Sequence, residues 1–286
     1  MNMCAQIKSL FSVILSFIIT TASLVFGCPK TAELTDDLKR DGTPKKYFTI
    51  SFDDGITQDL KIMEICRKYG FYGCTFNINT GLCGANWEWV GEAIGNPEVT
   101  HQRFTKKELK SGIYDGFDVA VHTLTHPSMK SYDNNIVKLK KEINTDAENI
   151  YRYTGVYPLG MAWPGGDTEY TDKTVELVAK HTKMGFARAV GSTYSFKLPE
   201  YFLKWHPTCS ITDGNVLKYA EDFLNAECNE DMLFYVWGHG YELDFYDNYD
   251  TLEQLIKMMV EAEGVVTVSN AEFYLLFKDE IPKWKS

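Results

Sequence analysis

The stretch YFTISFDDG at residues 47–55 decides the fold class, because it has the pattern of a buried strand that ends in charged residues. Aromatic and β-branched side chains fill residues 47–52, as in a strand that is covered on both faces. Asp53, Asp54 and Gly55 then end the strand at a turn. Similar short runs alternate with amphipathic helical runs along the rest of the chain, which predicts βα units around a mostly parallel sheet.

The number of these units predicts a barrel. The predicted strands cover residues 47–52, 73–79, 118–121, 156–162, 185–190, 232–237 and 264–268. The predicted helices cover residues 58–69, 134–153, 171–182, 215–226 and 251–263. About seven units in roughly 240 residues fit one distorted (β/α)7-type barrel better than the two domains that a length of 286 residues suggests. We therefore expect an α/β fold with a single domain at residues 47–286.

The composition excludes several classes of protein. Hydrophobic residues make up 44% and charged residues 24%, which is typical of a globular chain and not of a disordered, collagen-like or multi-span membrane protein. The net charge of −10 argues against a nucleic-acid partner, which would require a basic face. Aromatic residues make up 14%, and they fit either a large core or a cleft that stacks on sugars.

The N-terminal segment predicts export. Residues 10–27 are uncharged, follow Lys8 and end in small residues, so residues 1–27 have the layout of a signal peptide. The residues before Cys28 resemble a bacterial lipobox, in which that cysteine carries lipid. An uncleaved membrane anchor is the alternative. Residues 28–46 are polar and predict a linker, so we expect a lipid-anchored envelope protein or a secreted one, with no other membrane contact.

The cysteines give little support for disulfides. Of seven cysteines, Cys4 lies in the signal peptide and Cys28 in the lipobox, which leaves an odd number that cannot pair completely. We expect most of the others to pack as small buried side chains. A Cys74–Cys83 disulfide is the alternative.

Two predicted strand ends carry the residue types of a metal site. In parallel α/β folds, functional residues collect where strands end, and Asp53 and Asp54 lie at such a position. An Asx turn is the structural alternative for this Asp-Asp-Gly sequence. His122 and His126 follow another strand in a His-x-x-x-His pattern. Two imidazoles and one carboxylate are also the ligands of a catalytic zinc that keeps one position open for water.

A third strand end carries His239 between two glycines. Trp237 precedes it and fits either the core or a platform for substrate. The remaining histidines, His101, His181 and His206, lack such a setting, and we expect them to be surface or packing residues.

Together these segments resemble the polysaccharide deacetylases of the NodB-homology type, carbohydrate esterase family four. The family's Thr-Phe-Asp-Asp-Gly motif is similar to residues 51–55, and its His-Ser/Thr-x-x-His motif matches residues 122–126. Its Arg-x-Pro-x-Gly motif is similar to residues 162–166, and its apolar strand ending in His resembles residues 233–239. The four motifs occur in family order, and the resemblance implies a NodB-like barrel.

The resemblance also implies a mechanism, the removal of acetyl groups by a metal-dependent hydrolase of carbon–nitrogen bonds other than peptides. Asp54, His122 and His126 would hold a divalent metal, zinc first, with cobalt or nickel as alternatives. Asp53 would act as general base and His239 as general acid. A backbone N–H near Gly165 would help to stabilise the oxyanion. The expected substrate-binding residues are Trp163, Pro164, Gly165, Trp237 and Glu242, the last of which could instead cap a turn.

The chain departs from the family pattern at two points. Ala162 replaces the arginine that pairs with the base, so we expect the pKa of Asp53 to lie higher than in typical members. The aspartate that tunes the acid histidine has no clear counterpart. The candidates are Asp213, Asp244 and Asp247.

We expect an acetylated extracytoplasmic glycan as the substrate, carrying N-acetyl or O-acetyl groups. Peptidoglycan, chitin-like polymers, poly-glucosamine and acetylated xylan all carry a suitable acetyl group. One alternative is a glycan-binding module that keeps the fold without activity, and another is a hydrolase of a small cyclic amide. The chain has no Gly-x-Ser-x-Gly, His-Glu-x-x-His or Walker-type sequence, which argues against serine esterases, zincin proteases and P-loop enzymes.

Overall fold

The computed structural model describes residues 33–34 and 38–285. The predicted signal peptide and much of the predicted linker lie outside this range, so the boundaries at residues 27 and 46 stay predictions. Contacts group residues 31–286 into one compact unit. Among the described residues, no helix combines the length and the hydrophobicity that crossing a bilayer requires.

Eight parallel strands form one sheet, and its curled half-barrel confirms the predicted α/β fold class. The strands are β1 Lys46–Asp54, β2 Cys74–Ile78, β3 Asp118–Val121, β4 Gly160–Ala162, β5 Phe186–Arg188, β6 Cys209–Ser210, β7 Met232–His239 and β8 Val265–Thr267. Their order is β5-β4-β3-β2-β1-β7-β6, and β8 also pairs with the first residues of β1. Strand β1, which ends in Asp53 and Asp54, therefore lies at the centre of the sheet, with β2 and β7 on its two sides.

Helices follow most of the strands, as the alternating pattern predicts. They are α1 Asp59–Lys68, α2 Glu88–Ala93, α3 Lys106–Lys110, α4 Ile136–Thr154, α5 Asp172–His181, α6 Val216–Asn225, α7 Gly240–Tyr246, α8 Tyr249–Glu261 and α9 Asn270–Phe277. Short 3-10 turns cover Thr80–Leu82, Met129–Tyr132 and Phe202–Lys204. The sequence pattern does not predict α2, α3, α7, α9 or the two-residue strand β6, because each has at most eight residues, too few for a periodic signal.

Successive side chains along β1 point alternately to an apolar face and to a polar face of the sheet. Phe48, Ile50 and Phe52 are fully buried in the main core. Thr49 and Ser51 point to the other face, where Ser51 Oγ lies 2.9 Å from the hydroxyl of Tyr235. A buried polar network therefore lies along β1 on the face that leads to Asp53.

All five described cysteines are free thiols, so the alternative of a Cys74–Cys83 disulfide is wrong. Cys66, Cys74 and Cys209 are buried in the core, as expected for small apolar side chains.

Candidate active site

The carboxyl ends of β1, β4 and β7 and the loop after β3 surround a cavity of about 300 Å³. The residues that line it are Asp53, Asp54, Trp87, Trp89, Val90, His101, His126, Trp163, Gly165, Gly166, Val190, Trp237, His239 and Tyr241. Strict alternation would send Asp53 and Asp54 to opposite faces of the sheet. Asp54 instead has a φ of 81°, outside strand geometry, and both carboxylates line the same cavity.

Asp54, His122 and His126 come together in the geometry of a metal site. Asp54 Oδ1 lies 3.8 Å from His122 Nε2 and 3.9 Å from His126 Nε2, and one ligand atom from each residue lies within 4.8 Å of the others. His122 Nδ1 donates to the carbonyl of Ala162 at 3.1 Å, so Nε2 is the free ring nitrogen. His122 Nε2 is buried without a hydrogen-bond partner, and a metal ion would satisfy it. These residues fit a divalent cation.

Both imidazoles have the protonation state that metal binding needs. Burial lowers the pKa of His122 to about 4 despite the opposing effect of Asp53. Burial also lowers the pKa of His126, against the opposing charge of Asp54. Both rings are therefore neutral near pH 7, when a lone pair is available for a cation.

Helix α4 fixes the loop that carries the two histidines. Asp146 accepts from the backbone N–H of His122 at 3.3 Å, and Glu142 accepts from the backbone N–H of Thr125 at 2.9 Å. Thr123 and His126 have positive φ angles of 66° and 53°, which these contacts help to hold. The two acidic residues on α4 carry no local sequence signal for this role.

His101 and Arg103 hold the carboxylate of Asp54. His101 Nε2 donates to Asp54 Oδ2 at 2.9 Å, and Arg103 Nη2 donates to Asp54 Oδ1 at 3.1 Å. Both side chains are 1% exposed, so His101 is not a surface residue. It packs on Trp87, and it also contacts the candidate metal site, which the sequence analysis did not predict. Burial alone would raise the pKa of Asp54, but the hydrogen bond from His101 and the neighbouring cationic groups hold it well below its usual value.

Asp53 has its own set of partners. Asn77 Nδ2 donates to Asp53 Oδ1 at 2.9 Å, and the guanidinium of Arg188 on β5 pairs with Oδ2. Burial alone would raise the pKa of Asp53, but the Arg188 cation and the nearby imidazoles hold it below its usual value. The premise of the expectation drawn from Ala162, that Asp53 lacks a cation, is therefore wrong, because Arg188 on the strand next to β4 supplies one.

His239 lies across the same cavity and pairs with a glutamate. Its Nε2 is 4.0 Å from an oxygen of Asp53 and 4.0 Å from one of Asp54. Its Nδ1 is 3.2 Å from Glu242 Oε2, and Glu242 also accepts from the backbone N–H of His239 at 2.8 Å. Burial alone would lower the pKa of His239, but Glu242 and the two aspartates raise it to about 9.

The carboxylate next to His239 is therefore Glu242, and not one of the three aspartate candidates. Asp244 accepts instead from Gln58 and Tyr249. Asp213 accepts from the backbone of Asn215 in the turn before α6, and Asp247 ends α7 with a φ of 48°.

Of the expected substrate-binding residues, Trp163, Gly165 and Trp237 line the cavity, whereas Pro164 and Glu242 do not. Trp163 lines it but is fully buried, since its ring stacks on Tyr170 and its N–H donates to the carbonyl of Leu203 at 3.0 Å. Pro164 is also buried, whereas Gly165 is exposed at the cavity edge.

Trp237 is half-buried beneath Arg188, whose guanidinium carbon lies 4.4 Å from the ring centre. Trp87, Trp89 and Tyr241 also line the cavity. These three aromatics could not be predicted from the sequence as site residues, because they lie outside the four motifs.

The fold has relatives among solved structures. A putative polysaccharide deacetylase from Mycobacterium smegmatis aligns with a TM-score of 0.54 and 12% identity, over 90% of this chain and 97% of that one. A family 4 carbohydrate esterase from Streptomyces lividans, in complex with acetate, has a TM-score of 0.48 and 13% identity, over 79% and 93%. A mutant of a family 4 pseudoenzyme with restored activity has a TM-score of 0.49 and 15% identity, over 80% and 68%.

No curated protein matches the chain significantly. The family model described as polysaccharide deacetylase matches residues 40–186, which run from just before β1 to the start of β5 and include the two aspartates, His122 and His126. This match covers more than half of the 286 residues, so the chain belongs to the polysaccharide deacetylase family.

Proposed function

We propose that this protein is a metal-dependent hydrolase that removes acetyl groups from a polysaccharide outside the cytoplasm. Family membership supports deacetylase activity. The observation that carries the metal dependence is the unpartnered, buried Nε2 of His122, which faces Asp54 and the second histidine of the motif. A neutral imidazole in that position has a free lone pair on Nε2, and no hydrogen-bond donor among the described residues contacts it.

The donor set supports zinc, and it also accepts cobalt or nickel. A divalent cation held by Asp54, His122 and His126 would supply two effects, a lower pKa for bound water and polarisation of the acetyl carbonyl. The chain's own contribution is to keep both rings neutral and to hold the carboxylate through His101 and Arg103.

The two remaining titratable groups suit proton transfer. Asp53 is kept ionised by Arg188 and oriented by Asn77, so it can take a proton from the attacking water. His239 is kept protonated by Glu242, so it can give a proton to the departing amine or alkoxide. Their environments push the two pKa values in opposite directions, which is the arrangement that an acid and a base need at one pH.

The substrate and the location belong to the same proposal. The aromatic cavity suits a sugar ring that carries an N-acetyl or O-acetyl group. The uncharged run at residues 10–27 supports export, with a lipid anchor at Cys28 as one form of it.

Acetate release tests this function directly. We expect the purified protein to release acetate from at least one acetylated glycan in a panel, and a chelator to abolish the release. Asp53→Asn should abolish it while metal stays bound, whereas Asp222→Asn, an exposed control on α6, should leave it unchanged. Full activity in Asp53→Asn would contradict the assigned base, and release that survives metal removal would contradict the metal dependence.

The glycan-binding alternative loses its main support in this structure. It rested on the arginine that Ala162 replaces, and Arg188 places an equivalent cation on Asp53. Nothing in the cavity favours the small cyclic amide over a glycan.

A further inference from the structure

Arg103 places a buried positive charge on the carboxylate of Asp54. Its Nη2 donates to Asp54 Oδ1 at 3.1 Å, and the arginine side chain is 1% exposed. Asp54 Oδ1 is also the oxygen that lies 3.8 Å from His122 Nε2 and 3.9 Å from His126 Nε2. A guanidinium and a divalent cation would therefore share one ligand oxygen.

The two donors to Asp54 differ in charge. Arg103 Nη1 lies 3.4 Å from His101 Nδ1, and because a guanidinium can only donate, Nδ1 is the acceptor in this contact. The proton of His101 is then on Nε2, which donates to Asp54 Oδ2 at 2.9 Å, and the ring is neutral. His101 therefore orients the carboxylate without adding charge, whereas Arg103 adds a positive charge.

Arg103 is held in place by its other contacts. Its guanidinium carbon lies 3.8 Å from the ring centre of Trp87, which also stacks on His101 at 5.4 Å. The backbone N–H of Arg103 donates to the carbonyl of Ala85 at 2.9 Å. In the described part of the chain, Asp54 is the one acidic residue that forms an ion pair with Arg103. The arginine therefore keeps its charge on Asp54 and has no second carboxylate to neutralise it.

A buried cation on a ligating carboxylate opposes the binding of a second cation. The like charges repel, and the guanidinium takes up part of the negative charge that attracts a metal ion. Asp54 is 4% exposed, so solvent and salt screen this repulsion only weakly. Burial lowers the pKa of Arg103, but the charge of Asp54 opposes this effect, and an arginine stays protonated at neutral pH.

We propose that Arg103 weakens metal binding at this site, so that the occupancy of the site follows the metal concentration of the surroundings. This inference rests on the proposed metal-dependent function and adds a form of regulation to it. The same arginine pairs with Asp54 before a metal ion binds and fixes the donor nitrogen of His101. It therefore keeps the ligand set assembled while it lowers the affinity of that set.

Removal of the charge tests this proposal. Arg103→Met removes the guanidinium and keeps an unbranched side chain against Trp87, whereas Arg103→Lys keeps the charge without the fork of donors. We expect Arg103→Met to bind Zn²⁺ about tenfold more tightly than the unaltered protein, and Arg103→Lys to stay within about threefold of it. Competition with a chromogenic chelator measures these affinities without turnover. In metal-buffered solutions, the free Zn²⁺ concentration that gives half-maximal acetate release should fall by the same factor in Arg103→Met.

Arg152→Met is the matched control, because it makes the same chemical change at an exposed position in the last turn of α4. It should leave the affinity for Zn²⁺ unchanged. Thermal melting shows whether each variant is folded. Because Asp54 loses its ion pair in Arg103→Met, we expect a lower Tm without metal and a larger rise in Tm on adding Zn²⁺. Arg103→Gln, which is also neutral, replaces this variant in every measurement if it does not fold.

The outcomes separate failure of this proposal from failure of the proposed function. Unchanged or weaker Zn²⁺ binding in folded Arg103→Met would overturn the opposing charge, and so would equal affinities in Arg103→Met and Arg103→Lys. Tighter binding in Arg103→Met, together with acetate release that a chelator leaves unchanged, would support the role of Arg103 and contradict the metal dependence of the activity. Acetate release that requires metal, with no gain in affinity in Arg103→Met, would contradict the role of Arg103 alone.

Discussion

The contacts of His101 predict how tightly the cavity holds a metal ion. His101→Leu removes the donor 2.9 Å from Asp54 Oδ2 and keeps an apolar side chain beneath Trp87. Asp54 is 4% exposed, so water has little access to replace the lost donor. His101→Gln keeps an N–H at a similar reach from the backbone.

The size of the effect follows from the charge of the acceptor. A hydrogen bond to a charged group contributes about 1.5 to 3 kcal/mol, and each 1.4 kcal/mol is about tenfold in affinity. Partners behind a ligating carboxylate typically matter by about 10- to 100-fold in metal affinity. We therefore expect His101→Leu to weaken Zn²⁺ binding by about 10- to 100-fold, and His101→Gln to recover most of it.

Competition with a chromogenic chelator measures this affinity. His181→Leu is the control, because it makes the same chemical change at the exposed end of α5. Thermal melting of the metal-free proteins shows whether each variant is folded. If folded His101→Leu binds Zn²⁺ as tightly as the unaltered protein, the orienting role of His101 is refuted.

Three further predictions concern pH and stability. Arg188→Met should raise the pKa of Asp53. The acid limb of the kcat/KM profile should then move to higher pH, because Asp53 keeps its proton, and cannot act as a base, up to a higher pH. Glu242→Gln should lower the pKa of His239 from about 9, so the alkaline limb should move to lower pH because the acid form is lost earlier. A pH–rate profile that either variant leaves unchanged would contradict the assigned role. Gly160→Ala would place a Cβ 2.4 Å from a ring on β5 and should destabilise the protein by about 1 to 3 kcal/mol, read as a lower Tm.

The central parts of the fold could be predicted because their signals are local. The run at residues 47–52 lies within β1, and the helix predicted at 134–153 is nearly α4. Of the strand predicted at 156–162, only Gly160–Ala162 has strand geometry, and the residues before it form the connection from α4. The three motif segments that converge, at residues 53–54, 122–126 and 239, follow from the rule that parallel strands end at one edge.

The partners of these residues could not be predicted, since they come from distant parts of the chain. Arg188 is 135 residues from Asp53, and His101 and Arg103 are 47 and 49 residues from Asp54. Nothing in the local sequence around them marks a role. Only the order of the strands and the loop after α2 bring these groups to the two aspartates.

The pairing of β4 with β5 explains how Arg188 can take the place of the family's motif arginine. Ala162, which stands where the family has its arginine, is the direct cross-strand neighbour of Arg188. In parallel strands such neighbours point to the same face, so either position can send a guanidinium toward Asp53. Both positions are buried, and two guanidinium groups there would share one carboxylate, so the two arginines should exclude each other among related sequences. Ala162→Arg alone should therefore lower the activity of the protein, whereas the double variant Ala162→Arg with Arg188→Ala should restore that activity. A partner that is missing from a motif can thus be supplied by the neighbouring strand. Activity in this family is therefore better inferred from positions in the barrel than from positions in a motif.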